Sequence, residues 1–166
     1  MNRDHGFTLV ELLVTITIMV VLIVLTVVSL RSTQITGRDD QRSTDVQTIT
    51  QQLEGYYSQS GGNFGSAGEY PPLDAIATEA DIKTAMPDLD PDTLRAPNIP
   101  DADPVSLIAA TDNDPQTPTV SQYIYQPLQS DGELCGSAGD ECRRFFLYYR
   151  LESEPGVVKK IISKNQ

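Results

Sequence analysis

Tryptophan is absent from these 166 residues, histidine occurs once, as His5, and cysteine only twice. Two cysteines are too few for a scaffold built on disulfides. Proline is missing from the first 70 residues, since all 11 lie at or beyond Pro71. That stretch can therefore hold one long, unbroken helix. Basic residues are scarce: 12 Lys and Arg stand against 23 Asp and Glu, a formal charge of −11. A chain this acidic presents no broad basic surface to nucleic acid. Charged residues make up 21% and hydrophobic ones 39%, the balance of a folded chain rather than a disordered one. The length allows one domain with little room for a second.

The apolar residues are unevenly spread. From Phe7 to Leu30 the chain reads FTLVELLVTITIMVVLIVLTVVSL, and Glu11 is its only charge. As a helix this run is about 36 Å long, enough to cross a bilayer core. A cleavable secretory signal has a shorter apolar core and a small-residue cleavage site, which Leu30-Arg31-Ser32-Thr33 does not supply. A plain membrane anchor explains the length but gives Glu11 no task beyond snorkelling to the near interface. Arg3 before the run and Arg31 after it leave orientation weakly encoded by charge.

Gly6-Phe7-Thr8-Leu9-Val10-Glu11-Leu12-Leu13, after the short polar MNRDH, resembles the class III signal peptides of type IV pilins and pseudopilins. The resemblance implies cleavage by a prepilin peptidase between Gly6 and Phe7, and N-methylation of the new Phe7 terminus. It makes Glu11 the glutamate that acts in assembly with the Phe7 amine, its own or that of the next subunit. An unpaired carboxylate among packed apolar helices is destabilising, so such a pair would set the register of added subunits. Many pilins carry a proline and a glycine inside this helix, whereas nothing between Phe7 and Gly37 is either. The implied fold is α+β and pilin-like: a long N-terminal helix, its first half transmembrane, packed on a C-terminal antiparallel sheet. The implied layout is a leader at 1–6, a transmembrane and assembly half at 7–30, an amphipathic half at 31–58 and a globular head at 59–166.

The residues beyond the apolar run fit that frame. Val46, Ile49, Leu53 and Tyr56 recur at helical spacing and form a core-facing stripe. Between Arg31 and Asp45 only Ile35 is large and apolar, which predicts a wet zone. Gly61-Gly62 should stop the helix. Asp81 to Met86 reads as a short helix ended by Pro87, and 87–118 as an acidic, proline-rich loop tied down at Leu94 and Leu107-Ile108. Three strands follow as an antiparallel meander, at 121–126, 143–152 and 157–162. Phe145, Leu147, Tyr149 and Leu151 share one face by period two.

Cys135 and Cys142 flank a glycine-rich loop between the first two of these strands. The spacing is too wide for a Cys-x-x-Cys redox pair, and a chain cut after Gly6 has no histidine to complete a zinc site. A disulfide closing the loop fits best and implies an oxidising compartment. Charge is segregated: residues 69–114 hold eleven acids against Lys83 and Arg95, a formal −9, while 143–166 hold six bases against two acids, a formal +4. Solvated surface accounts for this, as does complementarity between subunits. Asp101-Ala102-Asp103 and Asp112-Asn113-Asp114 offer loop oxygens of the kind calcium takes, but in no recognisable ligand spacing, so no metal or other cofactor is expected.

The expected protein is a structural pilin of a type IV pilus-like surface filament, not an enzyme and with no small-molecule substrate. The resemblance implies copies of the chain in a helical filament, membrane lipid, a prepilin peptidase/methyltransferase, and an inner-membrane assembly platform with ATPase motors. Adhesion, twitching motility or DNA uptake would lie downstream. The alternatives are a pseudopilin of a type II secretion or competence apparatus, and a membrane-anchored extracellular binding domain that never polymerises. The expected location is a single-pass membrane precursor with its bulk extracytoplasmic, then a surface or periplasmic filament.

Overall fold

A computed structural model describes residues 8–59, 67–100 and 104–165. The chain divides into two compact units, Met1–Gly37 and Arg38–Gln166. One helix, α1 (Leu9–Ser58), contributes to both.

In the first unit, the large apolar side chains from Leu9 to Leu30 are exposed wherever they are described. Threonines within this helix bond back to the preceding turn: Thr17 Oγ1 donates to Leu13 O at 2.7 Å and Thr26 Oγ1 to Leu22 O at 2.8 Å. Their hydroxyls are thus satisfied without water, which suits a helix in lipid or among other helices.

In the second unit, the later part of α1 lays Val46, Ile49 and Leu53 into the main core, each 0–1% exposed, with Tyr56 packed at its edge. The helical stripe read from the sequence is therefore the buried face. Truncating Leu53 to Ala there should cost about 2–5 kcal/mol. The helix ends at Ser58, and the Gly61-Gly62 stop lies outside the described residues. A 3-10 turn (Leu73–Ile76) precedes α2 (Glu79–Ala85). Thr78 caps α2 by accepting the Asp81 N–H, while Asp81 accepts the Thr78 N–H, so both ends of the capping box are made.

The sheet has four strands in the order β1 (Leu107–Ala109), β2 (Tyr123–Leu128), β3 (Arg144–Arg150) and β4 (Val158–Ile162). β2, β3 and β4 pair antiparallel, as the meander required. β1 pairs parallel to β2, with Leu107 opposite Tyr123 and Ala109 opposite Tyr125, so the sheet is mixed rather than antiparallel. The expected acidic loop is correspondingly more structured: Pro91–Leu94 forms a 3-10 turn, and Leu107-Ile108 joins a strand instead of merely anchoring a loop. Three residues are too few to show strand periodicity, and the parallel pairing depends on a partner already held in place.

Phe145 and Leu147 face the core with Tyr123 and Tyr125, all 0% exposed. Tyr149 packs at the core's edge, and Leu151 follows the end of β3. On the opposite face, Phe146 and Tyr148 belong to a smaller cluster with Ile124 and Ala110. The architecture is α+β and pilin-like: a long N-terminal helix packed against a C-terminal four-stranded mixed sheet.

Candidate functional site

The start of α1 is built by two polar side chains. Thr8 N–H donates to Glu11 Oε2 at 2.9 Å, and Thr8 Oγ1 donates to the same oxygen at 2.8 Å. Glu11 N–H in turn donates to Thr8 Oγ1 at 3.2 Å. This is a capping box, and it also sets a carboxylate at the positive end of the helix dipole. Thr8-Leu9-Val10-Glu11 has the S/T-x-x-E spacing of such a box, so this local signal is present in the sequence. The Gly6–Phe7 junction lies outside the described residues.

The most apolar stretch of α1 has a mean hydropathy of 2.9, and none of it is buried. Among the described residues, α1 alone is long and apolar enough to cross a membrane. So much exposed aliphatic surface is unfavourable in water, and lipid or other apolar helices must cover it.

A second polar constellation lies in the globular unit, in the stretch predicted to be wet. Asp39 and Arg42 are buried there at 6% and 1% exposure. Asp39 Oδ1 accepts Arg42 NH1 at 3.1 Å and the Glu152 N–H at 2.8 Å, and Oδ2 accepts the Ser153 N–H at 2.9 Å. Arg42 also donates from Nε to Val120 O at 2.8 Å and from NH2 to Glu152 Oε1 at 2.6 Å. Arg38 completes a forked pair with Glu152 through Nε at 2.8 Å and NH2 at 2.5 Å. Burial pushes the Asp39 carboxyl up, but the bonds from Ser153 and Glu152 and the Arg42 charge outweigh it and leave it below the ordinary range. The bonds from Arg38 and Arg42 hold Glu152 low as well. Little more than one turn of helix is thereby fastened to the corner after β3 and to the turn before β2. Most of the expected wet zone is exposed, but within it Asp39 and Arg42 form a buried ionic clamp, unseen locally because Glu152 lies over 100 residues away.

One turn further on, Asp45 is buried and accepts the Tyr123 hydroxyl at 3.1 Å. Burial raises its pKa to about 6, although the Tyr123 bond and the Arg42 charge pull the other way.

Cys135 and Cys142 are joined by a disulfide, and both are fully buried in the main core. The bridged loop anchors the chain that follows the helix. Tyr70 N–H donates to Cys142 O at 2.8 Å, and Leu73 N–H to Cys135 O at 3.0 Å. Among the described residues, no group of three His, Cys, Asp or Glu is placed to hold a metal ion. Asp112 Oδ1 instead accepts the Asp114 N–H and the Gln116 amide, and Asp101-Ala102-Asp103 lies outside the described residues.

An exposed apolar helix opening on a Thr-Glu box, together with an α+β unit, is consistent with a membrane-anchored protein. Residues 1–30 match the family model for the prokaryotic N-terminal methylation motif, the class III signal-peptide motif of type IV pilins. The motif supports a protein of the type IV pilin or pseudopilin type and implies processing by a prepilin peptidase. No curated protein and no solved structure matches the chain.

Proposed function

We propose that this chain is a non-catalytic structural subunit of a type IV pilus-like filament, held by its apolar helix with the head outward. The single observation that carries this reading is the exposed apolar part of α1, opening at Glu11 within the methylation motif. In a monomeric anchor Glu11 has only its capping bonds to Thr8, whereas the methylation motif ties it to a filament. In a bundle, Glu11 exchanges its capping bonds for the amine of a neighbouring Phe7, and the helices bury one another's aliphatic faces. The disulfide supports a head that matures outside the reducing cytoplasm. N-terminal sequencing of membrane-derived protein should begin at N-methylated Phe7, and sheared cell-surface filaments should contain the protein. An intact Met1 or a cut after residue 30 refutes the processing. Mature protein recovered only as a membrane-bound monomer refutes the filament. A pseudopilin shares the motif, and recovery of short periplasmic assemblies with none at the surface favours that second reading.

A further inference from the structure

The outer face of the sheet carries cations that form no ion pair among the described residues. By register, Arg144, Phe146, Tyr148 and Arg150 of β3 lie on the face opposite the main core, beside Val158, Lys160 and Ile162 of β4. Lys160 Nζ sits 4.3 Å from the centre of the Phe146 ring. Ile162 is 44% exposed, and β4 is an edge strand. Neighbouring bases off this face are satisfied within the chain, Arg143 by Glu141 and Lys159 by Glu154. On it, Arg144 NH2 donates to a neutral acceptor, Ser130 O, at 3.4 Å. The Nε atoms of Arg144 and Arg150 are buried without a hydrogen-bond partner among the described residues. Neither these guanidiniums nor Lys160 forms an ion pair there. Arg144 and Arg150 are half-buried and Lys160 is exposed, and an anionic partner supplies the charge that this face lacks.

The same chain carries a matching anionic row. Asp88, Asp90 and Asp92 are exposed, and none is ion-paired among the described residues. The row is held rigidly: Leu89 and Leu94 root it in the core, Pro91 opens its 3-10 turn, and Asp90 Oδ1 accepts the Asp92 N–H at 3.0 Å. A preorganised strip loses little entropy on docking.

We propose that the outer face of β3 and β4 docks the acidic segment 88–92 of a second copy of this chain. The proposal rests on the filament reading and deepens it by naming a head-to-head contact. Arg150 and Lys160, diagonal neighbours by register, meet the aspartates, Arg144 engages from the far end of β3, and Phe146 and Ile162 between them exclude water from the pairs. Steering of opposite charges also sets which surface an incoming head presents.

The test is charge reversal in the full chain as the sole copy, read as filament yield against membrane-inserted mature protein. Arg144→Glu with Arg150→Glu and Lys160→Glu should lower the yield by about tenfold or more. Adding Asp88→Lys, Asp90→Lys and Asp92→Lys to that chain should restore it. Independently, Asp90→Cys combined with Lys160→Cys should give a reducible ladder of multimers in filaments, and neither single variant should. This pair covers the case in which the triple reversal fails to fold. Wild-type yield from the reversed face overturns the docking. A loss that the aspartate reversal does not recover, in filaments that also lack the ladder, assigns the face to another anionic partner and overturns it too. Absence of filaments from the wild-type chain overturns the filament reading and this contact with it.

Discussion

Replacing Arg42 with Met isolates the ionic clamp. The side chain is 1% exposed and makes bonds to Asp39, Glu152 and Val120 O. Methionine fills much of the same volume, so the change removes charge and hydrogen bonds more than packing. Asp39 keeps the two backbone N–H donors of Glu152 and Ser153, and Glu152 keeps Arg38. The buried charge of Asp39 loses its cation, and Val120 O loses its donor. Breaking such a pair costs about 3–5 kcal/mol, a large share of the roughly 5–15 kcal/mol that a domain has. For a head of this size that corresponds to a fall in Tm of roughly 10–20 °C. Urea or thermal unfolding of the full chain in detergent reads it through near-UV circular dichroism, because Tyr123 and Tyr125 are fully buried and there is no tryptophan. Acid supplies a second arm. Asp39 and Glu152 have lowered pKa values, so their contribution is present above the unfolded values of 3.8 and 4.5 and is lost as pH falls through the folded ones. The deficit of the Arg42→Met chain should therefore shrink below about pH 4. A loss under about 1 kcal/mol at neutral pH, the usual range for an exposed pair, would refute the clamp.

The remaining predictions concern one residue or pair each. Asp45 has a raised pKa, so its contribution is complete below its unfolded value of 3.8 and is lost as pH rises through about 6. Asp45→Asn keeps an acceptor for Tyr123 and should stabilise the head by up to about 3 kcal/mol at pH 7.5 but not at pH 4, as followed by urea unfolding; equal effects at both pH values contradict this. Converting both Cys135 and Cys142 to Ser should cost about 2.5 kcal/mol from loop closure alone for a separation of 7. Hydrogen exchange should then quicken first at Tyr70 and Leu73, whose N–H groups bond to the cysteine carbonyls. Glu11→Ala and Glu11→Gln should both be inserted and cleaved yet absent from filaments, because an unpaired Phe7 amine in an apolar bundle costs about 3–5 kcal/mol. Normal filament yield from both variants returns Glu11 to a purely local capping role, which Thr8→Val tests separately.

Much of this protein is written in short-range pattern. Twenty-four residues with a single charge require an apolar environment wherever the chain goes, and the Gly6, Phe7 and Glu11 spacing marks the processing motif without any fold. The helical recurrence of Val46, Ile49 and Leu53 and the alternation through Phe145 and Leu147 identify the buried faces, because each residue's neighbours reveal the period. The two cysteines announced their bridge for a similar reason: a glycine-rich loop joins them directly. Long-range pairing was decided by the tertiary structure alone. Asp39 and Arg42 look like solvated residues until Glu152 is brought to them, and only then is burying them tolerable. Leu107 to Ala109 becomes a strand only because β2 offers an edge, since three residues cannot hold that conformation unaided. The basic outer face of β3 and β4 also needed the register, which sets Lys160 diagonally beside Arg150 and places Arg144 on the same face at the far end of β3.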